Sequence, residues 1–146
     1  MFKRIRNLLY KIWDSARTSR DNFLPRVAPS VEEAIFPYDP EENAILPSEL
    51  KQMMIAGRDF VLLDVREVWE YQLVHIEGAV SIPLGELPRR SRELLPVDEI
   101  VVYCHHGMRS LDAAYLLQQL EFKSVLSVAG GIDRWAKEID PDMQRY

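Results

Sequence analysis

The chain holds a single cysteine, Cys104, followed at once by His105, His106, Gly107, Met108, Arg109 and Ser110. A thiol, two imidazoles, a guanidinium and a hydroxyl in one short stretch are residue types from which a nucleophilic or sulfur-carrying site is built. The reactive species is the thiolate. Cysteine ordinarily ionises at about pH 8.5, and a helix amino end with nearby cations brings that down to roughly 3.5–7.5. On composition alone a lone cysteine is most simply a small buried hydrophobe. Its position argues otherwise.

Residues 100–103, Ile-Val-Val-Tyr, are continuous and mostly β-branched, the pattern of a strand buried on both faces. Ala113, Leu116, Leu117 and Leu120 then recur at i, i+3, i+4 and i+7, one apolar helical face. The loop between them lies beyond the carboxyl end of a strand and at the amino end of a helix, where open α/β sheets place their ligands. Backbone N–H groups and the helix dipole converge on such a loop and favour an anion, here an ionised sulfur. Arg109 in the first turn opposes that dipole unless an anion sits beside it, and no acid lies between Cys104 and Leu111. Gly107 is expected to supply the positive φ of a tight loop. Wholly apolar packing around Cys104 would end this reading.

At 146 residues the chain is one domain of ordinary size with some extra, and 47% hydrophobic with 28% charged residues reads as globular. One cysteine permits no internal disulfide and no resolving thiol, so any covalent intermediate on Cys104 must pass to a second molecule. The net charge of -5 divides into +5 on residues 1–20 and -10 on the rest, which argues against nucleic acid as a partner of the main body. In residues 1–20, Phe2, Ile5, Leu9, Ile12, Trp13 and Ala16 fall at helical spacing among basic residues, predicting a basic amphipathic helix. Such a helix fits peripheral contact with an anionic membrane surface or a protein partner first, docking on its own domain second, and organellar targeting third. A cytoplasmic location is expected. Residues 21–43, with four prolines and six acids against one base, read as a linker.

The folded domain is expected over residues 44–140, with a tail at 141–146. Strands are expected near 45–46, 60–65, 79–82, 100–103 and 124–128, alternating with helices near 48–56, 67–73 and 88–95, one that follows the 104–109 loop and runs to about 120, and one near 132–138. That alternation predicts an α/β fold: about five strands, mainly parallel, with helices on both faces. Adjacent His105 and His106 are expected to point apart, and no metal site is read from them. His75 is read as a structural histidine and Trp135 as core.

Four motifs in this order resemble a single rhodanese domain: Leu62-Leu63-Asp64-Val65-Arg66-Glu67; His75-Ile76-Glu77-Gly78-Ala79 with Ile82-Pro83; the Cys104 loop; and Gly130-Gly131 with Trp135. The resemblance implies a rhodanese-like fold and a sulfurtransferase. Cys104 would take sulfane sulfur from thiosulfate or a similar small donor as a persulfide and pass it to a thiol or cyanide, with no cofactor. Arg109 would bind the anionic donor and its leaving group, while His105, His106, Gly107, Met108 and Ser110 would form the active loop. Asp64 and Arg66 would brace that loop or make a structural ion pair. Four residues separate Cys104 from Arg109, as in the sulfur-transferring members, against five in the related dual-specificity phosphatases. The competing reading is a non-catalytic binding or regulatory module recruited by the amino-terminal helix.

Overall fold

A computed structural model describes residues 42–146; the expected amphipathic helix and all but the end of the expected linker lie outside the described residues. The two most apolar runs sit side by side at the centre of a five-stranded sheet. They are β2 (Val61–Asp64) and β4 (Glu99–Tyr103), flanked by β5 (Ser124–Val128) and the two-residue strands β1 (Ala44–Ile45) and β3 (Val80–Ser81). The order is β1-β5-β4-β2-β3, and every neighbouring pair is parallel.

Side chains alternate across the sheet as strand geometry requires. Val61, Leu63, Ile100, Val102 and Val125 enter one apolar cluster, with Ala113, Ala114 and Leu117 of α4 (Met108–Gln119) and Leu87 of α3 (Leu87–Arg90). Leu62, Val101, Tyr103 and Val128 enter the other, with Leu50 and Met53 of α1 (Pro47–Ile55) and Ile132 and Trp135 of α5 (Gly131–Glu138). The remaining helix, α2 (Val68–Leu73), follows the carboxyl end of β2. Among the described residues no helix is long and apolar enough to cross a membrane.

Two local expectations differ from the structure. Ser48, a residue type that suits an amino-terminal cap and is expected to cap the first helix, does not cap α1. The cap is Leu46, two residues earlier; the helix starts at Pro47, whose fixed φ suits the first helical position, and Glu49 Oε2 accepts the Leu46 N–H at 2.6 Å. The helix expected over 88–95 is instead α3 between two 3-10 turns, Leu84–Glu86 and Ser91–Glu93. Ser91 Oγ donates back to the Pro88 carbonyl at 3.3 Å, a local bond that competes with the continuing helix ladder.

Candidate active site

Cys104 immediately follows β4, and α4 begins at Met108 with Gly107 as its amino-terminal cap. Gly107 has φ +102°, the left-handed conformation that lets the chain turn within three residues of the cysteine. The turn brings the Gly107 N–H to Cys104 Sγ at 3.1 Å, and Ser110 Oγ lies 3.6 Å from the same sulfur. Cys104 is only 1% exposed and one flank of it joins the apolar cluster under α4. Its other flank meets a main-chain donor and a hydroxyl, so the sulfur is withdrawn without being sealed in purely apolar packing.

The loop is also gripped from behind. The first N–H groups of α5 have no partner within their own helix. Ile132 N donates to the Cys104 carbonyl at 2.8 Å and Asp133 N to the His105 carbonyl at 3.1 Å. Such close docking needs a residue without a side chain: a Cβ on Gly131 would stand 2.4 Å from the Cys104 oxygen and 2.5 Å from that of His105. The Gly130-Gly131 pair is therefore the seat of the loop.

Arg109 has an acidic partner that its own neighbourhood in sequence does not supply. Glu70 of α2 accepts both of its terminal nitrogens, at 2.7 and 2.9 Å, the bidentate geometry that makes such pairs strong. The Arg109 side chain keeps 35% of its exposure while that of Glu70 keeps 5%. Burial would push the Glu70 carboxyl up, but hydrogen bonds from Arg109, from Tyr146 and from the Glu67 N–H outweigh it and hold the group at about 2. The Glu70 hydrogen bond in turn raises Arg109 above its ordinary value.

Asp64 and Arg66 form a fully buried ion pair, Arg66 Nη2 to Asp64 Oδ2 at 2.6 Å, with Arg66 Nε also on the carboxylate. Tyr103 donates to the same Asp64 oxygen at 2.7 Å. Burial opposes the Arg66 charge, yet the bonds to Asp64 and Tyr146 raise it above the ordinary guanidinium value. Arg66 further donates to the carbonyl of Val74 at 2.7 Å, which ties down the end of α2. It reaches the Cys104 loop through Tyr146. The Tyr146 hydroxyl accepts from Arg66 Nη1 at 2.8 Å and donates to Glu70 Oε1 at 2.7 Å, and its ring stacks on His105 at 4.0 Å. Burial and the bond to Glu70 raise this phenol, although Arg66 opposes them, and it stands at about 12.

His105 and His106 do not point apart: their rings pack 3.9 Å between centroids, because stacking on Tyr146 turns the first toward the second. Burial, reinforced by His106, lowers His105 below the usual imidazole value. His75 Nδ1 lies 2.9 Å from the Tyr71 carbonyl, and its ring stacks on that of Tyr71. Met108 is 74% exposed beside the site. The structure thus brings together Cys104, Gly107 and Ser110, sets Arg109 on Glu70, and links the Asp64–Arg66 pair to the loop through Tyr146 and its stack on His105. Sequence reasoning missed Glu70, Tyr146 and Ser127, whose hydroxyl lies 2.8 Å from Ser110 Oγ.

A family model described as Rhodanese-like domain matches residues 46–138. The chain is 44% identical over 85 residues to a putative sulfur carrier protein, YrkF, of Bacillus subtilis, covering 58% of this chain and 46% of that protein. It is 37% identical over 106 residues to a probable adenylyltransferase/sulfurtransferase, MoeZ, of Mycobacterium tuberculosis, covering 71% of this chain and 27% of that one. The chain thus spans less than half the length of either relative. A crystal structure of a rhodanese-related protein from Thermoplasma volcanium superposes with a TM-score of 0.61 at 32% identity, over 66% of this chain and 93% of the other. The match covers more than half of the chain and both halves of the sheet, and the chain belongs to the family of rhodanese-like domains.

Proposed function

We propose that the chain is a sulfurtransferase that works through a persulfide on Cys104. The carrying observation is the sulfur at the end of β4 facing the Gly107 N–H at 3.1 Å, with Ser110 behind it. The Cys104 thiolate attacks the sulfane sulfur of thiosulfate or a similar donor; the donor's S–S bond breaks and sulfite, or the corresponding thiolate, leaves with the bonding pair. The terminal persulfide sulfur then carries the negative charge, and the loop donors stabilise it. An acceptor thiolate or cyanide attacks that outer sulfur, takes it as a persulfide or thiocyanate, and returns Cys104 as thiolate. Arg109 offers its exposed side to the anionic donor. Because Cys104 is 1% exposed, entry of a donor requires the residues that cover the sulfur to shift.

A second reading, a non-catalytic binding module, draws support from that same burial and from the occupation of Arg109 by Glu70. Mass spectrometry after incubation with thiosulfate, and separately with a small-molecule persulfide, distinguishes the two. The sulfurtransferase gains one sulfur atom, loses it to added thiol, and gains none as Cys104→Ser. Absence of an adduct with every sulfane donor overturns the proposal in favour of the module.

A further inference from the structure

Ser127 is the third residue before Gly130, on β5, and it takes no part in the chemistry above. Its side chain lies on the same sheet face as Val125 and is 1% exposed, an unusual place for a serine beside an apolar cluster. Its hydroxyl lies 2.8 Å from Ser110 Oγ, which is itself in a fully buried residue. Ser110 Oγ has two further neighbours, the Gly107 carbonyl at 3.1 Å and Cys104 Sγ at 3.6 Å.

Counting hydrogens fixes the direction of these bonds. Each hydroxyl brings one hydrogen and two lone pairs. Among the described residues Ser127 Oγ has Ser110 as its hydrogen-bond partner and no other. Were Ser110 to donate to Ser127, the Ser127 hydrogen would be buried without an acceptor, which is unfavourable. Ser127 therefore donates and Ser110 accepts, whatever the state of the sulfur. The Ser110 hydrogen is then shared between two acceptors. While Cys104 is a thiol, that hydrogen goes to the Gly107 carbonyl and the S–H points at Ser110 Oγ. Once the sulfur is anionic, the Ser110 hydrogen turns onto it and joins the Gly107 N–H.

We propose that Ser127 is a positioning residue for Cys104: by donating to Ser110 it polarises that hydroxyl and strengthens its hydrogen bond to the anionic sulfur. On ionisation the Cys104 proton passes to solvent; each serine keeps its own hydrogen, and one hydroxyl rotates. The inference deepens the sulfurtransferase reading, since the same hydrogen would serve a thiolate or a persulfide, but its test does not need sulfur transfer.

With one cysteine in the chain, the ultraviolet absorbance of the thiolate can be titrated in the full-length protein against Cys104→Ser as the blank. A bond to an ion strengthened by a neighbouring donor predicts that Ser127→Ala lowers the thiolate-to-thiol ratio about two- to fourfold at a fixed pH. In a Ser110→Ala background the same substitution has no further effect, because the hydroxyl that transmits it is gone. Ser127→Val, which removes the hydroxyl and suits a buried strand, serves if the alanine variant does not fold. A titration unchanged by loss of the Ser127 hydroxyl overturns the proposal. So does an equal shift with and without Ser110, which makes Ser127 a packing residue. If the wild-type chain accepts no sulfur from any donor, the proposed function fails while this titration still decides the role of Ser127.

Discussion

Substituting Glu70→Gln tests the electrostatic frame of the site, because glutamine keeps the shape and one acceptor oxygen and removes the charge. The native carboxyl stands at about 2 against an ordinary 4.5. At roughly 1.36 kcal/mol per unit, that difference is about 3 kcal/mol of stability at neutral pH. The sign follows from the depressed value: the stabilisation is fully present above about pH 4.5 and is lost as pH falls through about 2. Linkage places roughly 2 kcal/mol of the loss already at pH 3. Arg109 is 35% exposed and water can take up its freed charge, so the neutral-pH cost of the variant falls at about 2–3 kcal/mol rather than higher. Urea unfolding of wild type and variant at pH 7 and at pH 3 reads both numbers. The gap should shrink to about 1 kcal/mol in acid. A gap that stays constant between the two pH values would refute the assignment of the stabilisation to the Glu70 charge.

Three further substitutions probe the other supports. Arg66→Met leaves Asp64 charged and buried without its partner and should cost about 3–5 kcal/mol in denaturant unfolding; a loss under about 1 kcal/mol would show that the pair is dispensable. Gly131→Ala, at φ +60° and with its Cβ 2.4 Å from the Cys104 oxygen, should cost at least about 1–3 kcal/mol and change the alkylation rate of Cys104. Wild-type stability together with a wild-type alkylation rate would mean that α5 does not set the loop. Tyr146→Phe keeps the stack on His105 but removes bonds to two charged groups, and should destabilise by about 1–3 kcal/mol in the same unfolding assay. A neutral effect would show that the hydroxyl is not needed to hold Arg66 and Glu70 together.

What could be read from the sequence was local. The β4–loop–α4 unit is continuous in the chain, and its strand, glycine turn and helix each carry their own pattern, so the place of Cys104 and the left-handed Gly107 were both legible. The sheet was legible because β2, β4 and β5 are apolar on both faces. The counter-ion of Arg109 was not, because it comes from 39 positions upstream and Glu70 reads as an ordinary residue of a short helix. Tyr146 carries no periodic signal and meets Glu70 across 76 positions. Ser127 is a polar residue in an apolar strand, the single hint that something polar waits beside it. The geometry of the two histidines also depended on Tyr146, and so could not follow from their adjacency.

These contacts bear on how Arg109 can meet a donor. At rest it is not a free cation but one half of a bidentate pair, so under the proposed reaction an anionic donor must compete with Glu70. Of the two partners, Glu70 is the fixed one: its oxygens are also held by the Tyr146 hydroxyl at 2.7 Å and the Glu67 N–H at 2.8 Å, and its side chain is 5% exposed. Arg109, with a third of its surface in water and a long flexible stem, is the one that can swing. A donor that brings its own negative charge near the loop replaces one anion of Arg109 with another, and the exchange leaves the Glu70 carboxylate bound to two hydrogen-bond donors rather than stranded. Under the proposed reaction, sulfur entry is then an ion exchange at Arg109 coupled to a shift of the residues that cover Cys104, with Tyr146 fixing the carboxylate that the donor has to displace.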